Sequence, residues 1–358
     1  MDVVVIGAGL SGLVAAVCLR EAGADVQLIE AGTRIGGRIQ ALRDPKTDSA
    51  LADLGPTWVW PKYQPVVDHW LGALGLETFD QFNDGDAVIA GYGPAARRQP
   101  LPGQDGMVRI VGGPSAIIDR LARRLDPARL RVATAVTGLV EDGSKAVRIH
   151  LQTGETIDTQ NVVLAIPLRV AATSLHMPWA HSDLTDLMRR TPTWMSTHAK
   201  AVALYDRPFW REAGLSGRIA SRTGPLVEAH DHSGRDDDPA AIFGFVGWPP
   251  HLRQQDPEGL KQAILTQLTE CLGPAARQPR QLVVQDWATN PHIVTDLDIA
   301  GPAQHPDIGP ESLRQAQLDG RVRFTVSEVS QVSPGLIEGA LAAGETAAAG
   351  FISNGSSG

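Results

Sequence analysis

A short apolar strand, Val3 to Ile6, runs directly into Gly7-x-Gly9-x-x-Gly12 and then into a helix rich in Ala, Val and Leu. No other stretch of the chain constrains its fold so tightly. Gly7 allows the tight turn, Gly9 lets the backbone approach a pyrophosphate, and Gly12 lets helix and strand pack closely. Ser11 lies in the first turn of the helix, where unpaired N–H groups and a partial positive charge suit phosphate. A second strand, Asp25 to Glu30, ends in an acid about 18 residues beyond Gly12, where a carboxylate meets the ribose hydroxyls of a dinucleotide. Ala31 follows it. A glycine-rich turn in an ordinary βαβ unit is the alternative, but strand, turn, helix and acid all fall in the order that dinucleotide binding requires.

With 358 residues the chain is long enough for two domains or one large interleaved pair. A formal charge of −8 argues against a nucleic-acid partner, and there is no basic stripe suited to an anionic membrane. Nor is there an apolar run of the roughly 18 residues that a spanning helix needs. Cys18 and Cys271 are isolated in sequence, and nothing in their spacing suggests a disulfide framework or a zinc site. A strand that starts at residue 2 leaves no room for a signal peptide, so a cytoplasmic location is expected.

Beyond Glu30, Thr33-Arg-Ile-Gly-Gly-Arg38 forms a glycine and arginine turn, and Asp53-Leu-Gly-Pro-Thr-Trp-Val-Trp60 follows. Residues 61–105 read as a mixed stretch, with a helix near 64–74 and a break-up around Gly91 to Gly106. Gly112-Gly-Pro-Ser opens a helix from Ser115 to Leu125. Strands are expected at 129–134, 146–152 and 161–166, with Asp142-Gly143 and Thr153-Gly154 as hairpin turns. A β-rich block covers 197–247 and one helix covers 257–271. The chain closes with strands at 281–287 and 321–326 and a small-residue helix from 335 to 351. These pieces predict an α/β protein in which a Rossmann-type unit (1–62, 106–172 and 280–353) is interleaved with a smaller α+β unit (63–105 and 173–279). The polar end, 354–358, is expected to be disordered.

Further local patterns accompany the glycine fingerprint and Glu30: Gly36-Gly37-Arg38, Asp53-Leu-Gly-Pro-Thr-Trp58, Leu130-Arg-Val-Ala-Thr-Ala-Val136 and Val162-Val-Leu-Ala-Ile-Pro167. Later come Lys200 with Arg207-Pro-Phe-Trp-Arg211, Asp286-Trp287, and Ser333-Pro-Gly-Leu-Ile-Glu-Gly-Ala340. In this order the chain resembles the flavin monoamine oxidase family, which includes polyamine oxidases and relatives of protoporphyrinogen oxidase. The resemblance implies a monoamine oxidase-like two-domain fold and bound FAD. Glu30 would then hold the adenosine ribose, Arg38, beside Gly37, the pyrophosphate or ribityl region, and Val136 the adenine edge. Leu54, Gly55, Pro56 and Thr57 would pass along the isoalloxazine edge, and Glu328 would bind the ribityl chain. Ile337, near the start of the last helix, would donate its N–H to the flavin N1/O2 edge, where reduction places negative charge. Lys200 is the implied catalytic residue, holding a water against flavin N5. Read alone it is an ordinary snorkelling lysine; its register before Phe209 is what singles it out. Trp287 would pack against the flavin or serve as a core aromatic. Trp58, Trp60, Phe245 and Leu336 are the candidate substrate pocket, with general core the plainer reading of Trp60 and Phe245.

The chain also departs from the family pattern. Leu336 stands where an aromatic ring is usual, and Ile293-Val-Thr-Asp-Leu-Asp-Ile-Ala300 carries neither an aromatic residue nor a cysteine. The FAD is therefore expected to be non-covalent. Val326 replaces a glycine ahead of Glu328. The stretch between Trp60 and Gly106 lacks a long helical insert, which leaves the cavity wide or closed by a partner subunit in a homodimer. His230-Asp231-His232 reads as a solvated turn in an acidic, glycine-containing loop rather than a metal site, and no metal is expected. The expected reaction is hydride transfer from the α-carbon of a small-molecule amine to flavin N5, giving an imine, with molecular oxygen as acceptor and hydrogen peroxide as product. Two alternatives stay open: a desaturase or dehydrogenase with another acceptor, and an FAD-binding subunit without turnover.

Overall fold

The computed structural model describes residues 1–143, 146–301 and 304–355. Its parallel sheet contains five strands in the spatial order Leu130–Arg131, Asp25–Ile29, Asp2–Ile6, Asn161–Leu164 and Val322–Phe324. A parallel sheet of this kind must be covered on both faces. Alternation along Asp2–Ile6 does this: Val3 and Val5 face the helices, while Val4 and Ile6 face the other way. The second face is closed by an antiparallel sheet of Val136–Glu141, Val147–Leu151 and Thr156–Thr159. The first hairpin of that sheet turns at the expected Asp142-Gly143, with residues 144–145 outside the described residues.

The first helix (Leu10–Glu21) and the last (Ile337–Gly355) cover the helical face together. Gly344 lets them approach: a Cβ there would lie 2.7 Å from both the Ser11 carbonyl oxygen and Val14 Cβ. The last helix runs two residues into the segment read as a polar end, and residues 356–358 lie outside the described residues. Helix Pro65–Leu74 buries Val67, Trp70, Leu71 and Leu74 in the same core. Its first N–H groups are capped from a distance, since Glu338 accepts from Val66 N at 3.2 Å and from Val67 N at 2.7 Å. The boundaries drawn from sequence put this helix in the second unit, but its apolar face joins the core of the parallel-sheet side.

The second sheet has seven strands in the order Gln281–Asp286, Ala199–Tyr205, Ala240–Val246, Leu226–Asp231, Leu215–Ser221, Asp86–Ala90 and Arg97–Pro100. Helix Pro257–Leu272 backs it through Leu260, Ile264 and Leu268. Gln281–Asp286 hydrogen-bonds along Ala199–Tyr205, with Gln285 opposite Lys200, which places its backbone in this sheet rather than with the unit starting at 280. Arg97–Pro100 pairs with Asp86–Ala90 inside the stretch expected to break up. No described helix is long and apolar enough to cross a membrane.

Candidate active site

A cavity of about 620 Å³ collects Ile6, Glu30 and Ala165 from the carboxyl ends of the parallel strands and Lys200 and Phe245 from the second sheet. Open α/β sheets place ligands at those strand ends. At one end is the glycine turn. Gly7 has φ +102° and a Cβ there would lie 2.5 Å from the Ala165 carbonyl, while a Cβ at Gly12 would lie 2.0 Å from the Gly7 carbonyl. Gly9 has nothing within 4 Å of a Cβ position, so it keeps open space before the helix N-terminus. Ser11 Oγ donates to Thr325 O at 2.6 Å and ties this turn to the last parallel strand. Glu30 accepts from Ala8 N and Gly32 N, each at 2.7 Å, one on each carboxylate oxygen. Each oxygen retains a lone pair for a hydroxyl.

Along the cavity, Arg38 forms a bidentate pair with Glu328 at 2.6 and 3.0 Å. It also donates to Trp194 O and Ser327 Oγ, each at 3.1 Å. Burial raises the Glu328 carboxyl, but the charge and hydrogen bonds of Arg38, with help from Ser327 and Trp194, win and hold it below the usual range. Arg38 lines the cavity and Glu328 stands behind it.

Toward the second sheet, Lys200 is 3% exposed and donates to Gly55 O at 3.0 Å and Thr57 Oγ1 at 2.5 Å. Its Nζ sits 4.1 Å from the centre of the Phe243 ring. Trp287 donates Nε1 to Leu54 O at 3.1 Å. The segment Leu54–Thr57 is thus held at one end by Trp287 and at the other by Lys200. A second close approach fixes it: a Cβ at Gly55 would fall 2.0 Å from the Arg38 carbonyl oxygen. Burial lowers the Lys200 pKa; nearby Asp53 opposes that and Arg109 adds to it. Burial raises the Asp53 carboxyl, against the pull of Lys200 and Arg109.

The expectation of a solvated turn at His230-Asp231-His232 is overturned. All three are buried, at 4%, 1% and 0% exposure. His230 Nε2 meets Glu228 at 2.8 Å, and Asp231 accepts from Trp210 Nε1 at 2.8 Å and Arg211 Nε at 2.7 Å. His232 Nε2 accepts the Asp53 backbone N–H at 2.9 Å, which fixes it as the acceptor nitrogen. Burial, then Arg109, Lys200 and His230, push the His232 pKa well below its ordinary value. A polar triplet on an inner strand looks like a loop when its partners lie far away in sequence.

Among the residues singled out from sequence, Gly7, Gly9, Ser11, Glu30, Ala31, Gly37, Arg38, Leu54, Gly55, Pro56, Thr57, Val136, Trp287 and Ile337 line this one cavity. So do Lys200, Trp58, Trp60, Phe245 and Leu336. Gly12 and Glu328 support it from behind. Sequence reasoning missed Trp194, Met195 and His198, which also line it and lie in a segment without a local motif. It quoted Asp53 without giving it a role. The glycine turn, the acid at the sugar end, the cation midway and the start of a helix at Ile337 together fit an FAD.

A family model described as flavin containing amine oxidoreductase matches residues 10–102 and 95–351. The chain is 28% identical over 239 residues to a probable flavin-containing monoamine oxidase A of Dictyostelium discoideum, covering 66% of this chain and 51% of that protein. It therefore spans about half the length of that relative. It is 22% identical to putrescine oxidase of Kocuria rosea, over 99% of this chain and 96% of the relative. The fold matches a solved structure of putrescine oxidase bound to putrescine with a TM-score of 0.82 at 20% identity, over 98% of this chain and 99% of that one. It matches cyclohexylamine oxidase from Brevibacterium oxydans IH-35A with a TM-score of 0.81 at 19% identity, over 99% of each chain. With the family model matched along nearly its whole length, this chain belongs to the flavin-containing amine oxidoreductases.

Proposed function

We propose that the protein is an FAD-dependent amine oxidoreductase acting on amines with an apolar body and no second cationic group. The observation that carries this reading is the single cavity joining the Gly7–Gly12 turn and Glu30 to Lys200, Trp287 and the start of the last helix. Bound FAD would supply the acceptor for a hydride from the amine α-carbon, leaving an imine, with molecular oxygen as the final acceptor and hydrogen peroxide as product. The chain's part is to hold the amine and exclude water. Trp58, Trp60, Phe245, Ile293 and Leu336 give an apolar lining that favours the neutral amine. Glu30, at the sugar end, is the one carboxylate of that lining among the described residues, so no acid there would receive the far ammonium of a diamine. Lys200 fixes Thr57 and Gly55 from the opposite side, keeping the wall in one geometry.

The FAD is held without a covalent bond in this reading. Cys18 and Cys271 pack in or against hydrophobic cores away from the cavity lining, and burial pushes each thiol up to about 11. Leu336, in place of an aromatic ring, favours a second reading in which the same site desaturates a C–C or C–N bond and passes electrons to another acceptor.

Anaerobic titration of the yellow protein tests this. Cyclic or branched aliphatic monoamines should bleach the flavin band, diamines should do so far less well, and admitting air should restore the colour. Bleaching without recovery in air would select the second reading. A flavin that no amine bleaches would reject both the proposal and its substrate class. Lys200→Met should keep FAD while slowing turnover on the order of 10²-fold; unchanged turnover would remove Lys200 from the mechanism.

A further inference from the structure

Trp58, one of the rings of the cavity wall, is held by a residue that stands outside the lining. A three-stranded sheet brings the two together: Val108–Ile110 lies between Trp58–Val59 and Thr78–Asp80. Gln81 is the next residue after the last of these strands and is 5% exposed. Trp58 Nε1 donates to Gln81 Oε1 at 2.7 Å. The amide has one orientation only. Gln81 Nε2 donates to the Asp231 carbonyl at 2.8 Å and to the Phe82 carbonyl at 3.2 Å, so its oxygen must face the indole. Because Asp231 ends a strand of the seven-stranded sheet, Gln81 also links the two sheets. Ring contacts complete the setting. The Trp58 ring meets His230 edge to face at 4.8 Å and Phe243 at 5.2 Å, and Phe243 meets Phe245, another ring of the wall, at 5.4 Å.

We propose that Gln81 is a positioning residue: it fixes the Trp58 indole with its N–H turned out of the cavity, which makes this part of the wall a donor-free surface selecting the apolar body of the amine. An indole N–H inside a protein needs an acceptor, and with Gln81 in that role the cavity meets only the hydrocarbon part of the ring. Without Gln81 the N–H gains by turning toward the cavity, where water or a polar group of the substrate accepts it. An apolar amine then loses contact surface, whereas a hydroxylated amine finds a new partner. Gln81 acts on substrate choice through Trp58 and does not itself line the cavity.

This deepens the proposed amine reaction and rests on it, but its first test needs no turnover. The chain has eight tryptophans, so the indole N–H resonances of ¹⁵N-tryptophan-labelled, FAD-loaded protein can be followed singly. Trp58→Phe identifies the Trp58 signal by its loss. In Gln81→Leu that signal should move and its exchange with deuterated water should quicken about tenfold or more; an unchanged position and rate overturns the proposal. Should Gln81→Leu fail to fold, wild type decides: the Trp58 N–H should exchange at least about tenfold more slowly than free indole, and unprotected exchange overturns the proposal equally. Kinetics then separate positioning from general support. Gln81→Leu should raise KM for a cyclic aliphatic monoamine about tenfold, leave kcat within about twofold, and raise KM for the hydroxylated analogue far less. In a Trp58→Phe background, which has no N–H to hold, Gln81→Leu should add nothing. Equal KM increases for the two amines, or additive effects in the two backgrounds, would overturn the proposal. Bleaching by amines with an unchanged indole signal rejects Gln81 alone. A moved signal in a protein whose flavin no amine bleaches rejects the amine reaction and leaves the hold on Trp58 standing.

Discussion

Arg38 and Glu328 show how one residue pair can hold a site together from opposite ends of the chain. Their bidentate contact spans 290 positions in sequence, and Glu328 is almost wholly buried. Removing one partner leaves a buried charge alone, so Arg38→Met should cost about 3–5 kcal/mol and loosen FAD. The pH dependence has a definite sign. In the wild type, the depressed Glu328 pKa contributes stability above the ordinary glutamate range, and this is lost as pH falls through the folded value. In Arg38→Met the same carboxyl is raised, so its folded form is favoured when protonated and penalised as pH rises. Thermal unfolding of the two proteins should therefore differ more at about pH 8 than at about pH 5; a deficit independent of pH would place the cost elsewhere. At this scale the sequence already pointed to Arg38 and Glu328 separately, through motifs, but their mutual contact is a tertiary fact that no local spacing carries.

Among elements, the strand–turn–helix junction was legible because each glycine has a local steric reason. The three glycines nevertheless do different work, and the structure separates them. Gly12→Ala puts a methyl group 2.0 Å from the Gly7 carbonyl and should cost about 1–3 kcal/mol of folding stability. Gly9→Ala meets no protein atom within 4 Å, so it should unfold like the wild type yet lose FAD affinity about tenfold or more. Denaturant unfolding of the apoprotein and a flavin-binding titration distinguish the two. The helices near 64–74 and 257–271 were also readable, since an apolar stripe marks each. The sheet partnership of Gln281–Asp286 was not, because a strand's sequence gives its faces and not its neighbour. The buried segment His230–His232 failed for a related reason: its partners are Asp53, Trp210, Arg211 and Glu228, none of which its own sequence announces.

For the molecule as a whole, interleaving was the correct expectation in kind, with elements rather than clean segments shared between the two sheets. Acid precipitation offers a whole-protein check on the cofactor linkage. All of the yellow colour should pass into the supernatant as free FAD, and colour that stays with the pellet would mean a covalent bond. The joining of the site by segments more than three hundred residues apart bears on how it can be dismantled. Ser11, in the glycine turn, is tied to Thr325, and Gly344 lets the helices Leu10–Glu21 and Ile337–Gly355 meet. The glycine turn therefore borrows its rigidity from a distant part of the chain. A proteolytic nick between the two segments would leave every local contact of the turn intact and still free it from the strand and helix that brace it.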